Sequence, residues 1–181
     1  DIDQVEILRG PQGTLFGANA LAGLINLVSA SPTPKHRQTI GLRLGDYGTR
    51  YAETTASGPI NPTAGYRVAV SKLQSDGFTD NAFLGRRDTA GLDELTVKSQ
   101  LDWAVGSDVD VELTALVLDI DNGYDAFSLD NTRTTLSDEP GFDRQETWAG
   151  SARVKWRAHP AFDVETTLSR VNADLDYGFD E

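Results

Sequence analysis

Residues 5–28 read VEILRGPQGTLFGANALAGLINLV, and this is the most informative segment of the chain. Its first residues alternate between apolar and polar side chains, as a short strand does. Gly10-Pro11 then breaks the strand, because glycine permits positive φ and proline lacks a backbone donor. The apolar run that follows at residues 21–28 is too short to cross a bilayer as a helix, which needs about 20 apolar residues. The stretch therefore predicts a strand–turn–strand element buried against something larger.

An ordered motif runs through this stretch and consists of Glu6, Arg9, Gly10, Pro11, Gly13, Gly17, Asn19 and Gly23. It resembles the end of the plug domain of a TonB-dependent outer-membrane receptor, just before the chain enters its β-barrel. The resemblance covers residues 1–34 and implies a structural and gating role for the motif. The family usually carries a basic residue where this chain has Ala18, so no salt bridge is expected from that position. Glu6 and Arg9 are predicted to form an ion pair of the kind that holds the plug against the barrel wall.

The composition excludes several classes of protein. A net charge of −12 and a pI near 4.5 argue against nucleic acid as a partner, because its binding needs clustered Lys and Arg. The mean hydropathy of −0.36 excludes a helical membrane protein. Two classes remain: an acidic soluble protein, or a β-barrel, in which only alternate residues of a strand meet lipid. The chain begins without Met or a signal peptide, so we expect a piece of a longer protein.

Regular alternation over about ten residues is the main strand signal in the rest of the chain. Apolar side chains share one parity, and polar ones the other, in residues 92–105, 108–117, 148–157 and 162–169. Weaker versions occupy residues 38–45, 49–57 and 66–74. About ten residues suit a tilted strand that spans a membrane, whereas strands of globular proteins have about five or six.

The connections between these segments alternate between short and long. Residues 106–107 and 158–161 are tight turns, whereas residues 76–90 and 120–146 are long and rich in Asp, Asn and Gly. Outer-membrane barrels have short periplasmic turns and long external loops, so this rhythm favours a barrel. Residues 58–64 would form another periplasmic turn. Trp103, Trp148 and Trp156 lie near the predicted strand ends, where aromatic rings favour the membrane interface.

These signals predict an all-β fold, and the resemblance implies that it has two parts. Residues 1–34 would be the C-terminal end of the plug, and residues 35–181 would be about seven strands from the N-terminal portion of an antiparallel transmembrane β-barrel. A complete plugged transporter has about 22 strands. An open set of strands leaves unpaired edges and an uncovered apolar face, so we expect the isolated chain not to fold stably as a monomer.

The sequence shows no catalytic, cofactor-binding or metal-binding constellation. Cys is absent, and His36 and His159 are far apart without ligand spacing around them. The acidic run from Asp119 to Asp125 fails the EF-hand order, because its fifth position is Gly123, and it is interpreted as a solvated loop. The glycines of the opening stretch lack the spacing of dinucleotide and Walker-type phosphate loops.

Ligand contacts in the external loops are a weaker prediction, because ordinary exposed residues would give the same pattern. The aromatic and cationic candidates for touching an anionic iron chelate are Phe78, Phe83, Arg86 and Arg87 in the first long loop, and Tyr124, Phe127 and Arg133 in the second.

The resemblance implies active uptake of a scarce nutrient, most commonly a ferric siderophore, across the outer membrane of a Gram-negative bacterium. It implies three partners: the TonB complex, contacted through a segment upstream of this chain, the outer-membrane lipid, and the small-molecule ligand. It implies no enzymatic activity and no cofactor. Two alternatives stay open: a passive porin or adhesin barrel shares the strands, and a soluble β-sandwich ligand-binding module shares the alternation.

Overall fold

The computed structural model describes residues 1–13, 22–125, 128 and 132–179 of the chain. Gly17 and Asn19 of the sequence motif, and Phe127 among the ligand candidates, lie outside these residues. Within the described ranges, no helix has the length and hydropathy needed to cross a membrane. The chain divides into two compact units, Asp1–Ser31 and Pro32–Glu181.

The first unit is an antiparallel pair of strands, β1 (Ile2–Arg9) and β2 (Gly23–Ser29). Glycine is required at Gly23, because its φ is 153° and a Cβ there would lie 2.6 Å from the carbonyl oxygen of Leu8. The pair confirms the two strands predicted from the opening stretch.

The predicted ion pair between Glu6 and Arg9 is wrong. Both residues lie in β1, where residues an odd number of positions apart face opposite sides of the strand. The Glu6 carboxylate instead accepts hydrogen bonds from Gln4 Nε2 and Asn26 Nδ2, both at 2.9 Å. Glu6 therefore ties β1 to β2 within the first unit.

The second unit is built on one antiparallel sheet. In chain order its elements are β3 (Arg37–Leu44), β4 (Arg50–Asn61), β5 (Ala64–Ser75), β6 (Asp80–Asn81), β7 (Leu92–Val105), β8 (Val109–Tyr124), β9 (Thr134–Thr135), β10 (Gly141–His159) and β11 (Phe162–Gly178). Seven of these strands form the sheet, in the order β11-β10-β8-β7-β5-β4-β3, and β6 pairs separately with β9. The all-β meander confirms the predicted fold class. A β-sandwich would need a second large sheet, which the described residues do not form.

Several strands are longer than the sequence predicts. β8 continues to Tyr124 instead of ending at residue 117, β10 begins at Gly141 instead of 148, and β11 continues to Gly178 instead of 169. The interpretation of residues 119–125 as a solvated loop is therefore wrong, because all but the last of them lie in β8. The predicted turn at residues 58–64 is also shorter, since β4 reaches Asn61 and β5 begins at Ala64.

The two faces of the sheet differ in chemistry. We call the face that carries Gln100, Glu112 and Arg153 the inner face, and the face that carries Leu113 and Leu168 the outer face. Gln100 is 8% exposed, whereas Leu168 is 71% exposed. The outer face carries a continuous apolar band that includes Leu95, Val97, Leu101, Trp103, Val109, Val111, Val117, Val154, Trp156 and Val164. Such a band is expected where barrel strands contact lipid.

The two ends of the sheet differ in the length of their connections. At one end, residues 62–63, 106–108 and 160–161 join neighbouring strands by short turns. At the other end, the longer connections contain β6 and β9. Because long connections are external in outer-membrane barrels, we assign this second end as external. Among the described strands, β3 and β11 each have a single neighbour, so the sheet ends in two open edges.

Candidate functional site

The polarity of β8 reverses near its external end. Up to Val117 the outer positions are apolar, but beyond it Asp119 and Asp121 take the outer positions, and Leu118 and Ile120 take the inner ones. The pairing of β8 with β10 runs without a register shift along β8, so a bulge does not cause the reversal. Alternate residues of β8 keep pointing to the same two faces along the whole strand. Only the residue types on each face change, from apolar to charged on the outer face and from polar to apolar on the inner face.

Neighbouring strands reverse at the same level. In β10, Trp148 lies opposite Val117, and the next outer residue is Glu146. In β11 the outer positions change from Leu168 to Arg170. The Arg170 guanidinium lies over the Trp148 ring, with its carbon 5.4 Å from the ring centroid. Aromatic and cationic side chains of this kind mark the interface between lipid and water.

Beyond this level the outer face is charged. Asp119 lies opposite Glu146, and Glu146 lies opposite Asp174, which places three carboxylates in one cross-strand row. Next to the row, Arg144 Nε lies 2.7 Å from Asp121 Oδ1. Charged side chains are costly at the lipid-facing surface of a barrel. This part of the outer face therefore meets water.

The inner face of the same strand ends is aromatic and apolar. We call this surface, formed by Leu118, Ile120, Tyr124, Leu175 and Tyr177, the mouth face. The ring centroids of Tyr124 and Tyr177 lie 5.1 Å apart, and Phe179 lies 5.8 Å beyond Tyr177. Tyr124 is 40% exposed and Tyr177 is 52% exposed, so both rings are accessible.

The mouth face is electrically neutral with acidic neighbours. A hydrogen bond with Tyr124 raises the pKa of Tyr177 to about 12. A tyrosine phenol is uncharged at physiological pH even at its ordinary pKa of about 10. Two acidic residues share the inner face with these rings: Asp143, opposite Tyr177, and Glu94, which accepts a hydrogen bond from Asn122 at 2.9 Å. The described inner positions at this level of β7, β8, β10 and β11 contain no Lys or Arg. This surface suits a ligand that presents aromatic or apolar groups and little negative charge.

Two external connections meet beside the mouth face. We call residues 76–91 and 132–140, together with Asp125, the loop cap. Its parallel bridge between β6 and β9 is extended by two backbone hydrogen bonds, from Asp80 N to Arg133 O at 2.8 Å and from Ala82 N to Thr135 O at 2.9 Å.

Two of the cationic ligand candidates, Arg86 and Arg87, form ion pairs with acidic residues of the loop cap. Arg86 Nε lies 2.8 Å from Asp88 Oδ1, and the guanidinium of Arg86 lowers the pKa of that carboxyl. Arg87 Nε lies 3.2 Å from Asp80 Oδ1. Because acidic partners already offset these charges, the two arginines are weaker candidates for binding an anionic ligand than the sequence indicates.

The remaining candidates have different surroundings. Arg133 Nη1 donates a hydrogen bond of 2.6 Å to the Tyr47 hydroxyl. Phe78 is 62% exposed in the loop cap. Among the sequence-predicted ligand candidates that the structure describes, Tyr124 alone is a mouth-face residue. A contact between any of them and a ligand stays a prediction.

The sequence prediction missed Tyr177 and Phe179, because it ended the last strand at residue 169. A signal for them exists in the order of apolar residues. Val117 and Leu118 are adjacent apolar residues, so the apolar parity of β8 switches at that point. In β11 the apolar parity switches between Leu168 and Val171. Such a switch without a glycine or proline indicates a strand that continues into different surroundings.

The inner face near the short turns carries charges that compensate one another. Arg153 lies between two carboxylates, with Glu112 at 3.8 Å and Glu165 at 3.7 Å. Lys155 Nζ lies 3.1 Å from Asp163 Oδ2. These ion pairs cross neighbouring strands and stabilise the sheet, so they are not candidates for ligand binding.

The chain is similar to several known receptors, although no protein-family model matches it. The pesticin receptor of Yersinia pestis is 35% identical over 92 residues, which make up 50% of this chain and 14% of that receptor. The ferric enterobactin receptor PirA of Pseudomonas aeruginosa is 26% identical over 129 residues, 64% of this chain and 17% of that receptor. The crystal structure of the ferric yersiniabactin uptake receptor FyuA from Yersinia pestis superposes with a TM-score of 0.87 at 21% identity, over 100% of this chain and 30% of FyuA.

The fold and these relatives define the class as plugged β-barrel receptors of the Gram-negative outer membrane. By sequence and by fold, the chain is similar to part of the TonB-dependent receptors of this class. It spans 14% to 17% of the length of the two curated relatives.

Proposed function

We propose that the receptor containing this chain takes up an iron-loaded siderophore across the outer membrane, with energy supplied by the TonB complex. In this proposal, residues 1–34 form the end of the plug, and residues 35–181 form the first strands of the barrel. The mouth face contacts the siderophore as it enters from outside the cell.

The observation that carries this proposal is the position of the aromatic mouth face at the external end of the sheet. The opposite, outer face is charged at the same level. A surface in that place is reached from the external solution and not from the lipid. Aromatic side chains bind apolar and aromatic ligand groups by burial and by ring stacking. The relatives whose names include ferric enterobactin and ferric yersiniabactin support iron complexes as the cargo.

The chemistry of the mouth face also narrows the type of siderophore. Tyr124 and Tyr177 present neutral rings, and Asp143 and Glu94 would repel a ligand with several negative charges. We therefore favour a siderophore complex that carries aromatic or heterocyclic rings and a small net charge over a strongly anionic one.

Uptake of radioactive iron tests the proposal. A strain that lacks the receptor gene would be compared with its complemented parent, with ferric yersiniabactin, ferric enterobactin and ferric pyoverdine supplied separately. We expect uptake of at least one complex to require the receptor, and to disappear when TonB is deleted.

Two results would contradict the proposal in different ways. Receptor-dependent uptake that survives deletion of TonB would favour the passive barrel. Loss of the receptor without effect on any of the iron complexes would favour another nutrient.

A further inference from the structure

We propose that Asp125 is the positioning residue that joins the two long external connections into one unit, and that this unit is in place before a ligand arrives. The consequence for ligand capture rests on the proposed uptake function, whereas the joining of the connections does not.

The Asp125 carboxylate accepts hydrogen bonds from both connections. Its Oδ2 atom accepts from Thr89 Oγ1 at 2.6 Å, from Thr135 Oγ1 at 2.7 Å and from Asn81 Nδ2 at 3.0 Å. Asn81 and Thr89 belong to the connection between β5 and β7, and Thr135 belongs to the connection between β8 and β10. Asp125 follows β8 directly. One carboxylate therefore links three separate parts of the chain.

The surroundings of these contacts make them strong. Asp125 is 9% exposed and Asn81 is 1% exposed. Burial raises the pKa of Asp125, but the hydrogen bonds from Thr89, Thr135 and Asn81 outweigh it and hold that pKa below its usual range. The carboxylate is therefore charged at neutral pH, and hydrogen bonds to a charged acceptor are about twice as strong as neutral ones.

Asn81 connects the same group to a further point of the second connection. Its Nδ2 atom also donates to the carbonyl oxygen of Ser137 at 2.8 Å, while its Oδ1 atom accepts from Leu84 N at 2.8 Å. The Asn81 amide thus makes one hydrogen bond within its own connection and another to the connection that contains Ser137. These contacts add to the backbone bridge between β6 and β9.

Close backbone packing fixes the cap to the end of β8. Gly123 N donates to Gly91 O at 2.8 Å, and a Cβ on Gly123 would lie 2.5 Å from the carbonyl oxygen of Thr89. Only glycine permits this approach. All of these contacts join groups of the protein itself, which is why we place the assembly of the unit before ligand binding.

Disulfide cross-linking across the bridge tests the proposal. Asp80→Cys and Thr134→Cys would be introduced together into the full-length receptor, since these two positions are partners in the β6–β9 pair. Adjacent strand positions satisfy the Cα separation of a disulfide. The rate of cross-linking would be measured in outer-membrane vesicles with a mild oxidant and without ligand.

We expect rapid and complete cross-linking in the otherwise native receptor. Asp125→Ala should slow it about tenfold, because hydrogen bonds to a charged group are lost, and Asp125→Asn should slow it less. Asp138→Asn is the matched control, since Asp138 is an exposed acid of the same connection, and it should leave the rate unchanged. Heat-modifiability on a detergent gel would verify the barrel of each variant. If the Ala variant does not assemble, the Asn variant carries the test.

The proposal would be overturned by cross-linking that is slow in the native background, or equally fast with and without the Asp125 carboxylate. A second readout separates positioning from a general loss of structure. Oxidation of the cysteine pair should restore to Asp125→Ala the native affinity for whichever of the three iron complexes the receptor binds. Lack of restoration would contradict positioning. If none of the complexes binds, the uptake proposal fails, and the cross-linking rates still decide the role of Asp125.

Discussion

The membrane-facing part of the sheet and its external extension are made from the same strands, but they have opposite polarity. In the lower part of β8, Leu113 faces outward and Glu112 faces inward. In the upper part of the same strand, Asp119 faces outward and Ile120 faces inward. The backbone pairing is continuous across the change. The residue types on each face therefore depend on whether that face meets lipid or water, and not on the strand conformation.

The candidate ligand surface begins where the polarity of the sheet reverses. Below the level of Trp148 and Arg170 the outer face is apolar, as contact with lipid requires, and the inner face is polar. Above that level the outer face is charged, and the inner face offers Tyr124 and Tyr177 to the external solution. The end of the lipid band and the start of the candidate ligand surface thus coincide.

The largest expected effect is a contrast between two arginine substitutions on one face of β8. Leu113→Arg places a charge within the apolar band and should reduce the free energy of unfolding by about 2–4 kcal/mol. Asp119→Arg places the same side chain above the band and should cost less than about 0.5 kcal/mol. Urea unfolding of the full-length receptor in phospholipid vesicles measures both. Equal costs would remove the distinction between the two regions.

The next effect concerns the inner face of the extension. Tyr177→Ala should weaken binding of the transported iron complex about tenfold, because it removes an exposed aromatic contact. Phe142→Ala is the matched control, since Phe142 lies on the outer face of β10 at the same level. Equilibrium binding to the purified receptor would report both affinities. A larger loss from the outer substitution would place the ligand surface on the wrong face.

A smaller effect is expected from the carboxylate row on the outer face. Glu146 lies between Asp119 and Asp174, and like charges directly opposite each other are destabilising. Glu146→Gln should therefore increase the free energy of unfolding by about 0.2–1 kcal/mol. The same urea experiment measures this gain. A decrease in stability would mean that attraction, and not repulsion, dominates the row.

The smallest effect is the pH dependence of the loop cap. Because the pKa of Asp125 is below its usual value in the folded protein, its contribution is fully present above the ordinary carboxyl pKa of about 3.9. This contribution is lost as the pH falls through the lowered pKa of Asp125 in the folded protein. The distance between spin labels at Phe83 and Leu136 should stay constant from pH 7 to about pH 5. Separation within that interval would contradict the role given to Asp125.

The amino-acid sequence predicts the membrane-facing strands well, because lipid on one face and polar groups on the other impose strict alternation. Residues 92–105 are predicted as a strand and form β7 with the same bounds. The extension is harder to predict, since Asp119, Asp121 and Asn122 have the composition of a loop. Their strand conformation depends on pairing with β7 and β10, which are distant in sequence.

The candidate site is also only partly predictable from the sequence. Tyr124 is predicted because it is an aromatic residue in a presumed loop. Tyr177 is missed because its role depends on β11 continuing past residue 169 and on its ring meeting that of Tyr124 across β10. The hydrogen bonds of Asp125 likewise cannot be predicted from the sequence. Asn81, Thr89 and Thr135 are separated from Asp125 along the chain and contact it only after the two connections have folded together.

Accessibility of spin labels along the outer face of β8 tests the polarity reversal most directly. Labels would be placed one at a time at Leu113, Val117, Asp119 and Asp121 of the full-length receptor in lipid bilayers. Collisions with oxygen, which dissolves in lipid, should dominate at the first two positions. Collisions with a water-soluble nickel chelate should dominate at the last two. The same accessibility at all four positions would show that the membrane boundary does not lie at Trp148 and Arg170.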